Sequence, residues 1–223
     1  DVNFAKSKHN LKLQGSVSHF SEKYFSLKDL RHPLLQLQGV NVVPNSVSLN
    51  QNQRVLLLSG PNAGGKTILL KSIGLAAQMA RSGLPLPASE GSVLPFFEHL
   101  DPIVGDLQSV GQNLSSFSSH ISRLTQTLKY KSPHTLILVD EICGATDPEE
   151  GSALARSVIE HFCDAGVYAV VTSHLGPLKE NWSKDSGVVH GSLEFDTKSN
   201  HPTYQLLMGL PGRSLALSVA QQL

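Results

Sequence analysis

The chain has 223 residues, with 18 Lys or Arg balancing 18 Asp or Glu. That length suits one domain with a full core and at most a small β-rich addition, and the cancelled charge excludes nucleic-acid affinity driven by bulk charge, which would need a local patch or another segment. No apolar run approaches the roughly 20 residues that span a bilayer, no secretory leader opens the chain, and Cys143 and Cys163 lack metal spacing, so a cytoplasmic protein with free thiols and no membrane partner is expected.

In chain order, residues 1–10 read as the end of an incoming helix, with Phe4, Lys6 and Lys8 on a mixed face. From Leu11 to Leu49 the pattern is strand-like and broken by turns. It includes Leu34–Leu37 and Val40–Val43, and predicts a small antiparallel layer over 11–50 ahead of a core spanning 51–223. Val55–Leu58 is short and apolar, as a buried parallel strand is. A helix over 65–81 is predicted to stop at Ser82-Gly83, and Leu84-Pro85-Leu86-Pro87 cannot continue it. Residues 92–104 predict one or two short strands punctuated by Pro95 and Pro102. The serine-rich Ser115–His120 leads into a helix through about Lys131, with Ile121, Leu124 and Leu128 at helical intervals. Thr135–Val139 is the clearest buried strand. After it come a helix over 150–163, a strand over 168–172, a short helix near 175–181, a candidate hairpin of 192–195 with 204–207, and a helix from Arg213. Strands alternating with helices predict an α/β fold with a mainly parallel sheet covered on both faces. The chain starts at Asp1 rather than Met and stops at Leu223 inside an apparently helical run, so a piece of a longer protein is expected.

The most specific feature is Gly60-Pro61-Asn62-Ala63-Gly64-Gly65-Lys66-Thr67, a phosphate-cradling loop of the form G-x-x-x-x-G-K-[ST] set between an apolar strand and a helix. Its glycines let backbone N–H groups curl around an anion, and the helix start adds the positive end of its dipole. Lys66 is expected to reach the β- and γ-phosphates and the Thr67 hydroxyl to bind Mg²⁺. Leu136–Val139 ends in Asp140-Glu141. Asp140 is placed to hold the Mg²⁺ shell, and Glu141 to polarise the attacking water as general base. The next strand ends in Thr172-Ser173-His174, where His174 can hydrogen-bond a γ-phosphate or orient that water. His161, His190 and His201 lack such a setting and are expected at the surface. A carboxylate beside the metal aspartate favours ATP hydrolysis over GTP hydrolysis, which would bring an Asn-Lys-x-Asp. It also favours it over phosphoryl transfer to a metabolite, which would bring a lid of arginines.

The Gly-Pro-Asn-x-Gly-Gly-Lys-Thr form of the loop resembles the ATPase domain of MutS-type proteins. So do Arg31-His32-Pro33-Leu34, Val43-Pro44-Asn45 and the stretch from Gly105 through Ser115-Ser116-Phe117. Phe4-Ala5-Lys6, Ser82-Gly83-Leu84, Phe117–His120, Thr146–Gly151 and Gly209–Ser214 point to the MutS-two branch. The resemblance implies an ABC-superfamily P-loop fold with a small N-terminal antiparallel β layer. It also implies a homodimer with two composite ATP sites, in which Ser115, Ser116 and Phe117 of one subunit face the γ-phosphate held by the other. By the same resemblance Asn62 would contact phosphate, Val42 and Asn45 would lie at the nucleotide, and Gln108 would sense metal or water. Three positions depart from the pattern. Val42 stands where the mismatch-recognising branch has an aromatic under adenine, so base packing is expected to be aliphatic or to come from elsewhere. Ser116 replaces a commoner threonine, and Cys143 a glycine or other small residue, the thiol being read as a small buried filler.

The resemblance therefore implies an ATPase switch, cycling between ATP and ADP, whose partners are DNA (in recombination or repair) or a stalled ribosome, engaged through domains outside this chain. No nuclease activity is expected of this segment. An ABC transporter subunit would carry a Leu-Ser-Gly-Gly-Gln-like segment shortly before the acidic strand, and the interval has no Gly-Gly-Gln. A passive nucleotide-dependent dimerisation module is the other alternative.

Overall fold

The computed structural model describes residues 15–60, 65–105, 113–144, 146–196, 199 and 201–212, with only the backbone of 113–116. Its elements are β1 (His19–Phe20), β2 (Phe25–Leu30), α1 (Pro33–Leu37), β3 (Asn45–Leu49), β4 (Val55–Ser59), α2 (Lys66–Arg81), β5 (Val93–Leu94), β6 (His99–Ile103), α3 (Asn113–Thr127), β7 (Thr135–Val139), α4 (Pro148–Asp164), β8 (Tyr168–Ser173), a 3₁₀ turn (Gly176–Lys179), β9 (Val188–Asp196) and β10 (His201–Met208). A six-stranded sheet runs β10-β9-β4-β8-β7-β6 and a four-stranded one β1-β5-β2-β3. In the large sheet every pairing is parallel except β9 with β10, which form the expected hairpin.

The large sheet is covered on both faces because β4, β7 and β8 are apolar at successive positions, and successive strand residues point to opposite sides. Leu56, Leu58, Leu136, Leu138, Tyr168 and Val170 join Leu70, Ile73 and Ala77 of α2 in one core, and the small sheet adds Phe25, Leu27 and Val47 to it. Val55, Leu57, Ile137, Val139, Ala169 and Val171 form the other core with Leu124 of α3 and Ala155, Val158, Ile159 and Phe162 of α4. The registers align Ser59 with Ser173 and Val139 with Val171. β4 and β8 therefore end level and β7 two residues short of them, and the residues just beyond the three strands share one ridge.

Several elements differ from their sequence expectation. Leu34–Leu37 is helical, not extended: Pro33 stands at the first helical position and His32 Nδ1 accepts the Leu35 N–H, so the chain is capped into a turn. The stretch Val40–Val43 is irregular. The small sheet is mixed rather than purely antiparallel, because β5 arrives from beyond α2 and pairs in parallel with β1. Pro102 lies inside β6, not after it. β6 is an edge strand, and the outward carbonyl of Pro102 accepts from Arg123 of α3 at 2.6 Å, so the missing N–H also faces away from the ladder. Helix α4 starts two residues early, because Asp147 caps Glu149 N at 2.9 Å and Pro148 fits the first turn. His190 is half-buried rather than at the surface, since β9 is flanked on both sides by β4 and β10. His161 is also half-buried, its Nε2 on the Leu128 carbonyl at 2.8 Å, while His201 is exposed. Among the described residues no helix is long and apolar enough to cross a membrane. The helices expected over 1–10 and from Arg213 lie outside the described residues.

Candidate functional site

The ridge at the ends of β4, β7 and β8 gathers a cation, two carboxylates, two hydroxyls and an imidazole. Lys66 opens α2 and is buried, its ammonium donating to the Gly60 carbonyl. Burial lowers its pKa to about 8, against the opposing pull of Glu141 and Asp140, with Lys179 adding to the lowering. Lys66 is thus still protonated at neutral pH and held close to both acids. Before it, Gly65 sits at φ 90°, a left-handed conformation that glycine takes without strain. A glycine at this position brings no side chain to the first amides of α2, and such helix starts take anions.

Asp140 is fixed from two sides. The Thr67 hydroxyl lies 2.9 Å from Oδ2 and 3.2 Å from Oδ1, and the Thr172 hydroxyl donates to Oδ1 at 2.6 Å. Thr172 Oγ1 also accepts the Glu141 N–H at 2.8 Å. Glu141 itself has φ 52°, the left-handed region that disfavours a side chain. It begins a tight turn in which Ile142 N–H reaches the Thr172 carbonyl and Gly144 N–H reaches the Glu141 carbonyl. His174 is exposed beside this turn: a Cβ added to Gly144 would sit 2.9 Å from His174 Cε1. Helix α4 presses on the turn from behind, because a Cβ on Gly151 would lie 2.7 Å from the Cys143 carbonyl.

Cys143 is buried, and burial pushes its thiol up to about 11, so it is the inert filler its sequence setting suggests. Its N–H points to Nε2 of buried His120 on α3 at 3.5 Å. Burial, with Arg123 nearby, lowers the His120 pKa and keeps the ring a neutral acceptor. Among the described residues no cluster of three or more His, Cys, Asp or Glu side chains could cage a metal. A Thr hydroxyl with one carboxylate is instead the sparse, hard-oxygen donor set that suits Mg²⁺, which keeps waters and takes phosphate oxygens rather than a protein cage.

Beside the start of α2 an apolar cavity of about 310 Å³ opens, lined by Val40, Val42, Val43, Ile68, Leu69 and Tyr204 among others. Tyr204 comes from β10 and lies against Gly65, whose added Cβ would be 3.1 Å from the ring. It too has a left-handed backbone, φ 60°, at a register shift between Pro202 and Leu206. Asn45 lines the same cavity, and its amide holds that shift in place: Nδ2 donates to the Tyr204 carbonyl at 3.0 Å and Oδ1 accepts the Leu206 N–H at 2.6 Å.

The ridge therefore brings together Gly60, Gly65, Lys66, Thr67, Asp140, Glu141 and His174, with Val42 and Asn45 at the adjoining cavity. Pro61, Asn62, Ala63, Gly64 and Gln108 lie outside the described residues. Ser115 and Ser116 fall in the first turn of α3 by their backbone, and Phe117 is half-buried one residue on. Two residues escaped the sequence reading. Thr172 was visible only as the strand end preceding His174, and Tyr204 carries no local motif, since only the β10 shift turns it to the cavity.

Fold and site define a mixed α/β protein whose candidate site lies at the carboxyl ends of a mainly parallel sheet. Residues 56–223 match the family described as MutS domain V, and the chain belongs to the MutS family. Over its whole length it is 42% identical to a protein of Gemmatimonas aurantiaca named Endonuclease MutS2, covering 28% of that relative. Proteins of the same name from Thermomicrobium roseum and Thermus thermophilus are 46% and 43% identical over 88% and 92% of this chain, which covers 25% and 27% of them. These relatives place the chain in the MutS2 branch. The chain spans about a quarter of the length of the curated relatives it matches.

Proposed function

We propose that this domain is an ATP-binding and ATP-hydrolysing switch with a P-loop core of ABC and MutS type over 51–223 and the small β layer before it. The observation that carries the reading is the meeting of buried Lys66, the Thr67–Asp140 bond and the Glu141 turn at the ends of adjacent strands. Membership of a family with this domain supports it. Lys66 and the amides of 60–67 would hold the phosphates, and the base would enter the apolar cavity against Tyr204, in place of an aromatic at Val42. Thr67 and Asp140 would hold Mg²⁺, which supplies neutralisation of phosphate charge.

In this reading the Glu141 carboxylate takes a proton from water as its oxygen bonds to the γ-phosphorus. The bond from that phosphorus to the bridging oxygen breaks, and ADP and phosphate leave. His174 orients the water or the phosphate. Ser115, Ser116 and Phe117 of a second copy, with Asn62, complete each site, so ATP bridges the homodimer and hydrolysis releases it. The relatives are named endonucleases, but nuclease activity is not assigned to these residues. DNA or a stalled ribosome would be engaged by other domains, in the cytoplasm.

Glu141→Gln tests this reading. The variant should still bind ATP and accumulate dimer while turnover falls about 10²- to 10⁴-fold, the usual worth of a general base. Hydrolysis at the wild-type rate would remove Glu141 from the mechanism. A rate per subunit that rises with protein concentration supports composite sites, and no turnover at any concentration favours the passive module.

A further inference from the structure

Thr172 is wholly buried at the end of β8, and its one hydroxyl is used twice. The direction of both bonds follows from chemistry. An ionised carboxylate only accepts and a backbone N–H only donates, so the hydroxyl hydrogen points at Asp140 Oδ1 and a lone pair receives Glu141 N–H. The first bond is short and charge-assisted. With Oδ1 tied to Thr172 and Oδ2 beside Thr67, the Asp140 carboxylate cannot rotate freely. The second bond, with the Ile142 N–H on the Thr172 carbonyl, pins the left-handed backbone of Glu141 to the same residue.

We propose that Thr172 is a positioning residue that sets the orientation of the Asp140 carboxylate and the place of the Glu141 carboxylate together, so that cation binding and base catalysis depend on one hydroxyl. The inference rests on the ATPase reading above. A space-filling role would make no demand on the hydroxyl, since valine has nearly the same shape. The positioning role makes a sharper demand. Losing the hydroxyl must impair Mg²⁺ dependence and turnover at once, while leaving metal-free nucleotide uptake by Lys66 and the cavity intact.

The test compares wild type, Thr172→Val and Thr172→Ser, using a fluorescent ATP analogue titrated with Mg²⁺ alongside steady-state hydrolysis. In EDTA all three should bind the analogue alike. T172V should need about tenfold more Mg²⁺ for half of the metal-dependent gain in binding, as loss of an outer-shell partner does. Its kcat should fall at least about tenfold with KM little changed, the scale of a lost charge-assisted hydrogen bond. T172S, which restores the hydroxyl, should recover both to within about threefold, the rotational freedom of serine accounting for the rest. If T172V matches T172S in Mg²⁺ dependence and kcat, the inference is overturned and the ATPase reading stands. If wild type takes up no nucleotide with or without Mg²⁺, both fall. Should circular dichroism show T172V unfolded, Thr172→Ala deletes the same hydroxyl without the valine methyls and is read by the same two measurements.

Discussion

The two sheets of this domain are built on opposite rules. In the large sheet β4, β7 and β8 are buried at every residue, whereas β3 of the small sheet alternates buried and exposed positions and β2 exposes two residues in succession. A strand buried on both faces cannot slip by one residue without moving its side chains into the opposite core. Its end is therefore a fixed point, and Gly60, Asp140 and His174 hang from three such points. The half-solvated strands of the small sheet are held in register as well, since a one-residue slip of β3 would expose Val47, but no residue of the ridge hangs from their ends. They lead into the irregular 40–44 segment, which lines an apolar cavity where shape rather than charge placement matters.

Cutting into each sheet should expose the difference. Ile137→Ala, in the middle of β7, should reduce the unfolding free energy by about 3–4 kcal/mol, the range for a large core aliphatic. Val47→Ala in β3 removes two methyl groups and should lose roughly half that. Urea denaturation measures both, and equal losses would erase the distinction between a rigid and a softer sheet. Next in size is a pair of glycine substitutions. Gly144→Ala drives a methyl to 2.9 Å from the exposed His174 ring, which can swing away. Stability should change little while turnover falls about tenfold or more, as misplacement by an ångström does. Gly91→Ala, beside the small sheet at φ 75° and 3.1 Å from Lys28 Nζ, should reverse the pattern. It should lose about 1–2 kcal/mol for a side chain in the left-handed region and keep its ATPase rate.

The same contrast governs what the sequence made legible. Continuous apolar runs gave β4, β7 and β8 almost to the residue, and with them the positions of Lys66, Asp140, Glu141 and His174, because local pattern and burial agree there. The small sheet is legible only in part: the antiparallel pair β2 and β3 falls within the expected 11–50 layer, but the parallel pairing of β5 with β1 departs from it. Leu34–Leu37 has strand-like composition but is turned by His32 and Pro33, and β5 is a two-residue strand whose partners lie far away in sequence. Tyr204 was invisible for a related reason. Its place against Gly65 depends on a register shift held by Asn45, and nothing near Tyr204 in the sequence announces either. Asn45, expected at the nucleotide, lines that cavity, and its amide also holds the strand that carries the cavity's aromatic ring.

That cavity gives the third prediction. If the adenine base packs on Tyr204, Tyr204→Ala should weaken ATP and ADP equally, by the roughly 1–3 kcal/mol that base–aromatic stacking contributes. Calorimetric titration reads both affinities. Pyrophosphate, which has no base, should bind wild type and variant alike, and a loss of pyrophosphate affinity would place Tyr204 in the phosphate site rather than at the base.

The smallest effect is a slope with pH. Burial lowers the pKa of His32, helped by Lys71, of His120, helped by Arg123, and of His190. His32 and His120 also accept backbone N–H groups through ring nitrogens that protonation would occupy. Folding therefore favours the neutral rings. The stability they contribute is complete above the unfolded histidine value of about 6.5 and is lost as pH falls below it. The melting temperature should drop between pH 7 and pH 5. His32→Asn retains an acceptor at the helix start, and His190→Gln removes a titrating group from β9. Each should flatten the slope, the first reporting on the small sheet and the second on the large. A slope unchanged in both variants would remove His32 and His190 as its source.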